Sequence, residues 1–200
     1  KKLVSIFIPV YQEEGNLRNL IERLDSITDV LTKFDWKYVL INDGSHDDSW
    51  NRIKELASES SKITGIDLSR NFGKELTLTA GVEYARRSDA VICIDADLQH
   101  PPELIPELVE RWCDGFQVVA TIRISTDKEP LIRKIGSRLY YWVMSHISNV
   151  FMVSQTTDYG LYDRKVVDAF CQATERGRNF RGIMDWMGFD RTYVEFKADA

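Results

Sequence analysis

Two hundred residues with a hydrophobic share of 44% suffice for a single domain, 1–200, with a sizeable core. Acidic residues number 31 against 26 Lys plus Arg, and the net charge of −5 argues against a nucleic-acid partner, which calls for a basic excess. Cys93, Cys113 and Cys171 form no C-x-x-C pair and read as core thiols of a reducing compartment, and no apolar run reaches the ~18–20 residues of a membrane span.

The first residues, Lys1-Lys2-Leu3-Val4, lead into a strand rather than a signal peptide. Runs rich in β-branched residues predict strands over 4–10, 38–42, 63–68, 90–94 and 118–122, separated by stretches of helical spacing. This alternation predicts an α/β fold, a mostly parallel sheet with helices on both faces. The first helix carries Leu17, Leu20, Ile21, Leu24, Ile27 and Leu31 on one face behind a Gly15-Asn16 cap. The second follows Ser45 and the acidic pair Asp47-Asp48, and the third and fourth fall over 74–85 and 102–112. Pro102 is placed to open the fourth.

Beyond Ile122 the pattern changes to a polar loop over 125–130 and a long helical candidate over 131–147. That candidate mixes Arg133, Lys134 and Arg138 with Tyr140, Tyr141 and Trp142, which suits either a membrane surface or packing on a core. A short strand over 158–162, helices over 165–175 and 181–187 and a last strand over 192–196 complete the chain. The absence of an initiator Met, and an end at Lys197-Ala198-Asp199-Ala200 with no stop signal, lead us to expect a segment of a longer protein.

The chemistry gathers where strands end. Ala90-Val91-Ile92-Cys93-Ile94 stops at Asp95-Ala96-Asp97, and strand alternation points residues i and i+2 to the same side. Two carboxylates so placed repel unless a cation or protons intervene; the alternative is a pair of solvated loop aspartates. Strand one ends at Pro9-Val10-Tyr11-Gln12-Glu13-Glu14, without the glycine pattern of a dinucleotide site or a P-loop. Strand two ends at Asn42-Asp43-Gly44-Ser45, and strand three delivers Arg70 and Lys74 to the same edge, where open α/β sheets bind ligands. Each has an ordinary reading as a turn residue; the joint pattern does not. His46, His100 and His146 form no ligand set for zinc, and His100 reads as a helix cap or as a contact to a metal or diphosphate.

Five ordered motifs carry a resemblance over almost the whole chain: Val10-Tyr11-x-Glu13-Glu14, Asn42-Asp43-Gly44-Ser45, Ser69-Arg70-Asn71-Phe72-Gly73-Lys74-Glu75, Asp95-Ala96-Asp97-Leu98-Gln99-x-Pro101-Pro102-Glu103 and Asp163-Arg164-Lys165-Val166-Val167. Together they resemble the inverting family-2 glycosyltransferases of GT-A fold. They are most similar to the polyprenyl-phosphate branch, which includes dolichol-phosphate mannose synthases and bactoprenol glucosyltransferases. The resemblance implies transfer of a hexose from a nucleotide sugar, UDP-linked in preference to GDP-linked, to a polyprenyl phosphate with inversion, for cell-surface glycan assembly. It implies that Pro9, Tyr11, Glu13, Asp43 and Arg70 hold the nucleoside, with Lys74, Ala96 and Gln99 in the donor site. Asp95 contacts ribose or metal, and Asp97 ligates the Mg²⁺ or Mn²⁺ that bridges the diphosphate. It places Asp158 at the position of the proposed catalytic base and Arg123 by the acceptor phosphate.

A phosphomonoester has a second pKa of about 6, so the acceptor needs little deprotonation, and Asp158 is expected mainly to orient it. The chain departs from the family pattern at Thr126 and Gly160, where arginines are common; Arg133 and Arg164 are candidates to compensate, and Arg178 and Arg181 are either phosphate contacts or surface charges. The branch implies the cytoplasmic face of a membrane, attachment through membrane helices outside this chain, and a possible homo-oligomer. The rival readings are a catalytically silent nucleotide-sugar module and a transferase acting on a soluble glycan.

Overall fold

The computed structural model describes residues 1–124, 156–173 and 179–197. In chain order the elements are β1 (Lys2–Val10), α1 (Leu17–Thr28), β2 (Phe34–Asn42), α2 (Ser49–Glu59), β3 (Ile63–Asp67) and α3 (Lys74–Tyr84). There follow β4 (Ala90–Cys93), α4 (Ile105–Cys113), β5 (Val118–Arg123), β6 (Thr156–Asp163), α5 (Arg164–Gln172), α6 (Phe180–Trp186) and β7 (Arg191–Phe196). The polar loop and the helical candidate over 125–147, with Thr126 and Arg133, lie outside the described residues, as does Arg178.

The described strands form one sheet in the order β3-β2-β1-β4-β6-β5-β7. Only β6 runs against its neighbours: it is antiparallel to β4 and β5, while the other pairings are parallel. The mostly parallel sheet is therefore as expected, and its apolar runs follow from burial on both faces. Ile6 and Ile8 of β1 pack with Leu20 and Leu24 of α1 and Leu108 of α4. Phe7 points the other way, into a second core with Leu78 of α3, Phe170 of α5 and Phe180 of α6. Chain order reverses between β1 and β4, with β2 on one side of β1 and β4 on the other. That switch point opens a crevice beyond the carboxyl ends of the two strands.

Several local expectations need correction. The first helix stops at Thr28 rather than Leu31, and Asn16 is its N-cap by position only, because its amide donates to Glu13 Oε2 at 2.7 Å. The fourth helix opens with a 3-10 turn over Pro102–Leu104 before α4 begins. Of the three thiols only Cys93 is buried; Cys113 is exposed at the end of α4 and Cys171 is half-buried. β4 ends at Cys93, so Asp95 and Asp97 converge through the following turn and not through strand alternation. In that turn Leu98 takes φ +62°, a left-handed conformation that costs a branched side chain of order 1–3 kcal/mol and that clusters at working sites.

Candidate active site

A cleft of about 290 Å³ occupies the switch point. Pro9, Val10 and Tyr11 line it from β1, and Asp95, Ala96 and Asp97 from the turn after β4. The wall is completed by Glu13, by Asp43, and by Asn71, Gly73, Lys74 and Thr77 at the start of α3. The loops are stitched to one another by backbone amides. Gln12, at φ +57°, donates its N–H to Ser45 Oγ at 3.0 Å, and Glu13 donates to Ser49 Oγ at 2.9 Å. Asp43 is only 4% exposed, and its carboxylate accepts the Phe72 and Gly73 amides at 2.7 and 3.0 Å. Gly44 at φ +63° lies directly against the Arg70 and Asn71 backbone, an approach that a Cβ would block. The tip of β2 thus holds the loop that precedes α3.

A charge cluster adjoins the cleft through Lys74 and Asp95. β6 runs in reverse, so its first residues lie at the carboxyl ends of the other strands; Cys93 pairs with Gly160, and Asp95 and Asp158 lie just beyond that last pair. Lys74 Nζ bridges them, 2.9 Å from Asp95 Oδ2 and 2.9 Å from Asp158 Oδ2. Arg181 Nη2 donates to the other Asp158 oxygen at 3.0 Å. Burial by itself would raise the Asp158 carboxyl, whose side chain is 14% exposed, but the Lys74 hydrogen bond and charge, then those of Arg181, hold it below the ordinary carboxylate range. Burial likewise opposes the Lys74 charge, and the two carboxylates outweigh it and raise its pKa. Asp158 is therefore an ion at neutral pH and a poor proton acceptor.

His100 is packed between the rings of Tyr159 and Phe196, each 5.6 Å away between centroids. Its Nδ1 is buried without a hydrogen-bond partner, 3.5 Å from Asp95 Oδ2, and burial lowers its pKa against the pull of Asp95. It makes no cap hydrogen bond to the 3-10 turn that follows. The donor set fits a hard divalent cation: Asp97 accepts the Gln99 amide on one oxygen at 3.1 Å, Asp95 lies on the same wall, and the His100 nitrogen is neutral and unpaired. Among the described residues no group of three or more acidic, His or Cys side chains gathers tightly enough to enclose an ion. The protein offers a partial shell, which suits an ion that takes its remaining ligands from a bound diphosphate.

The cleft brings together Pro9, Tyr11, Glu13, Asp43, Lys74, Asp95, Ala96 and Asp97 of the expected set. Arg70 lies beside it, its guanidinium 4.1 Å above the Phe72 ring, and Gln99 acts through its backbone amide on Asp97. Arg123 is exposed at the end of β5. Arg164 donates to the Ser88 carbonyl, which precedes β4, so it lies at the opposite end of the sheet from the cleft and is not placed to compensate there. Gly160 is pressed onto β5, where a Cβ would come 2.8 Å from the Val119 carbonyl, so this strand has no room for an arginine. Arg181 is not a free surface charge but a partner of Asp158. Sequence reasoning missed Asn71, Gly73 and Thr77 as cleft walls; the signal for the first two was the Ser69–Glu75 motif itself, and Thr77 lies just beyond it.

A switch-point cleft on a sheet with one reversed strand, rimmed by carboxylates, is the arrangement of the GT-A fold. The sequence model described as glycosyl transferase family 2 matches residues 5–171, and the chain belongs to that family. It is 40% identical over 196 residues to an uncharacterized glycosyltransferase of Synechocystis, covering 98% of this chain and 61% of that protein. It is 41% identical over 180 residues to the undecaprenyl-phosphate 4-deoxy-4-formamido-L-arabinose transferase of Aeromonas hydrophila, covering 88% of this chain and 53% of that protein. The prophage bactoprenol glucosyl transferase homolog of Escherichia coli is 32% identical over 96% of this chain and 62% of its own length. The chain thus resembles the polyprenyl-phosphate branch and spans little more than half the length of these relatives. Among solved structures, glucosyl-3-phosphoglycerate synthase from Mycobacterium tuberculosis, with Mn²⁺, UDP-glucose and phosphoglyceric acid, superposes with TM-score 0.64 at 16% identity, covering all of this chain and 71% of that one. That likeness supports the fold.

Proposed function

We propose that this chain is the catalytic part of an inverting, metal-dependent hexosyltransferase. It would move a sugar from a nucleotide donor, UDP-linked in preference to GDP-linked, to a polyprenyl phosphate at the cytoplasmic face of a membrane. One observation carries the reading. The reversed strand β6 brings Asp158 within reach of Lys74, which also holds Asp95 of the cleft wall, and in this reading Lys74 joins the donor side of the site to its acceptor side. The names of the relatives, an undecaprenyl-phosphate sugar transferase and a bactoprenol glucosyl transferase homolog, support the acceptor class.

In this reading Tyr11, Pro9, Glu13 and Asp43 bound the nucleoside, and Asp43 also shapes the Phe72-Gly73 turn by accepting its two amides. Asp97 and Asp95 would hold a Mg²⁺ or Mn²⁺ ion, which when bound stabilises negative charge on the leaving diphosphate. Lys74, with 46% of its side chain exposed, is open to the cleft and adds positive charge beside the departing phosphates. Asp158 remains ionised and orients the acceptor, whose phosphate is already largely dianionic at neutral pH with a second pKa of about 6. Arg123 presents a fork of donors suited to phosphate oxygens at the end of β5.

Among the described residues no helix is long and apolar enough to cross a membrane. Attachment is assigned to regions outside them. The test is a screen of nucleotide sugars against short-chain polyprenyl phosphate with Mg²⁺ or Mn²⁺, with Asp97→Ala as the blank. Counts that partition into organic solvent support the proposal; counts that stay in water on a glycan acceptor, or donor binding with no turnover, overturn it.

A further inference from the structure

Lys74 and Glu75 are neighbours in the first turn of α3, and each reaches a different side of Asp158's surroundings. Lys74 holds Asp158 Oδ2 directly. Glu75 Oε2 accepts the Phe180 backbone N–H at 2.6 Å, the amide that opens α6, and the next residue, Arg181, holds Asp158 Oδ1 at 3.0 Å. One turn of α3 therefore grips both oxygens of a single carboxylate, one by contact and one through α6.

The mounting of α6 explains why the Glu75 bond matters. The Phe180 ring is fully buried and meets Phe7, Tyr162 and Phe170 edge-on, with centroids 6.4, 5.4 and 5.5 Å away. Those contacts fix how deep the residue sits. Rotation of the backbone about that buried ring sets the direction in which Arg181 leaves, and the charge-assisted bond from Glu75 restrains it. The Arg181 Nε–H is buried without a partner, so the guanidinium keeps its place through Nη2 and through its backbone.

We propose that Glu75 is a positioning residue for the transfer reaction: by holding the Phe180 amide it aims Arg181 at Asp158 and keeps that carboxylate in a single orientation. This rests on the reading of Asp158 as the group that orients the acceptor. Glu75 itself touches neither donor nor acceptor in this account.

The test uses the full-length protein as wild type, E75A, E75D, E75Q, R181A and the double variant E75A/R181A. Turnover is measured with the best donor and a short-chain polyprenyl phosphate, and exchange of the Arg181 Nε–H by NMR. E75A is expected to lower kcat about tenfold with donor KM changed less than about twofold. E75D, which keeps the charge but shortens the reach, shows the same loss should E75A fold poorly. E75Q, whose amide oxygen still accepts the Phe180 N–H, recovers to within about threefold of wild type. The double variant is no worse than R181A alone, as coupled residues require. Losses that multiply in the double variant, or E75A and E75D with unchanged kcat, overturn the proposal. Independently of turnover, Arg181 Nε–H exchange speeds up about tenfold or more in E75A and E75D and not in E75Q; unchanged exchange overturns it too. A wild type that transfers no sugar to any acceptor sinks the transferase reading, and the exchange measurement then decides this one by itself.

Discussion

Asp95, in the turn after β4, and Asp158, on the antiparallel β6, share one ammonium group, that of Lys74, which sits 2.9 Å from an oxygen of each. Like charges brought this close need a cation between them. Here the protein supplies its own.

Replacing Lys74 by Met removes that cation. The side chain is about half exposed, so solvent screens the pair and the expected loss is about 1 kcal/mol at neutral pH. The depressed Asp158 pKa makes its contribution full above the ordinary Asp value of about 3.9 and lost as pH falls through the still lower folded value. The raised Lys74 pKa makes its contribution full below the ordinary Lys value of about 10.4 and lost only as pH rises through the folded value. Urea midpoints should therefore show a constant gap between wild type and K74M from about pH 5 to pH 9, narrowing in stronger acid. Turnover should drop on the order of a hundredfold, the loss typical of a charge-stabilising donor.

Asp158→Asn separates orientation from proton abstraction. Because Asp158 stays ionised well into acid, the acid limb of kcat/KM should fall near about pH 6, where the acceptor phosphate gains a proton. The loss in the Asn variant should be the same factor from about pH 6.5 to pH 9. A deficit that disappears in alkali would make Asp158 a base instead.

Asp97→Ala should uncouple donor binding from the metal. With Mn²⁺ and a nucleotide sugar at about a hundred times the dissociation constant, wild type should gain about 2.7 kcal/mol of stability. The variant should keep its own melting temperature without ligand and lose most of that gain.

Gly44→Ala tests the stitching of the loops. A Cβ there meets the Arg70 and Asn71 backbone, and φ +63° is itself unfavourable for alanine, so the expected cost is about 1–3 kcal/mol. Donor affinity measured by calorimetry should weaken with it, because the displaced loop carries Asn71 and Gly73 of the cleft wall.

The sheet was legible because strands covered on both faces leave unbroken apolar runs, as in Ile6-Phe7-Ile8, where alternate residues feed opposite cores. The polar strand tips were legible for the same reason, since each interrupts such a run. The direction of β6 was not, because nothing in the composition of Thr156–Asp163 distinguishes a parallel from an antiparallel neighbour. The partners of that reversal were hidden with it: Arg181 reads in the sequence as a phosphate contact or a surface charge, and its pairing with Asp158 depends on where α6 packs. His100 reads in the sequence as a cap or a metal or diphosphate contact, and its packing was hidden because its Tyr159 and Phe196 neighbours come from distant strands. Asp43 was found as a site residue, but its use of both oxygens on backbone amides depends on how closely two loops approach, which residue type does not encode.

The central claim is that the acidic rim at the switch point holds a cation and the sugar diphosphate bound to it. Anomalous diffraction from crystals grown with Mn²⁺ and a non-hydrolysable nucleotide sugar reads this directly. The account predicts a manganese peak about 2.0–2.2 Å from an Asp97 oxygen, with the diphosphate on its far side and the Lys74 ammonium turned toward the phosphates. A manganese-free rim with Lys74 still bridging Asp95 and Asp158, and the donor seated elsewhere, would contradict it.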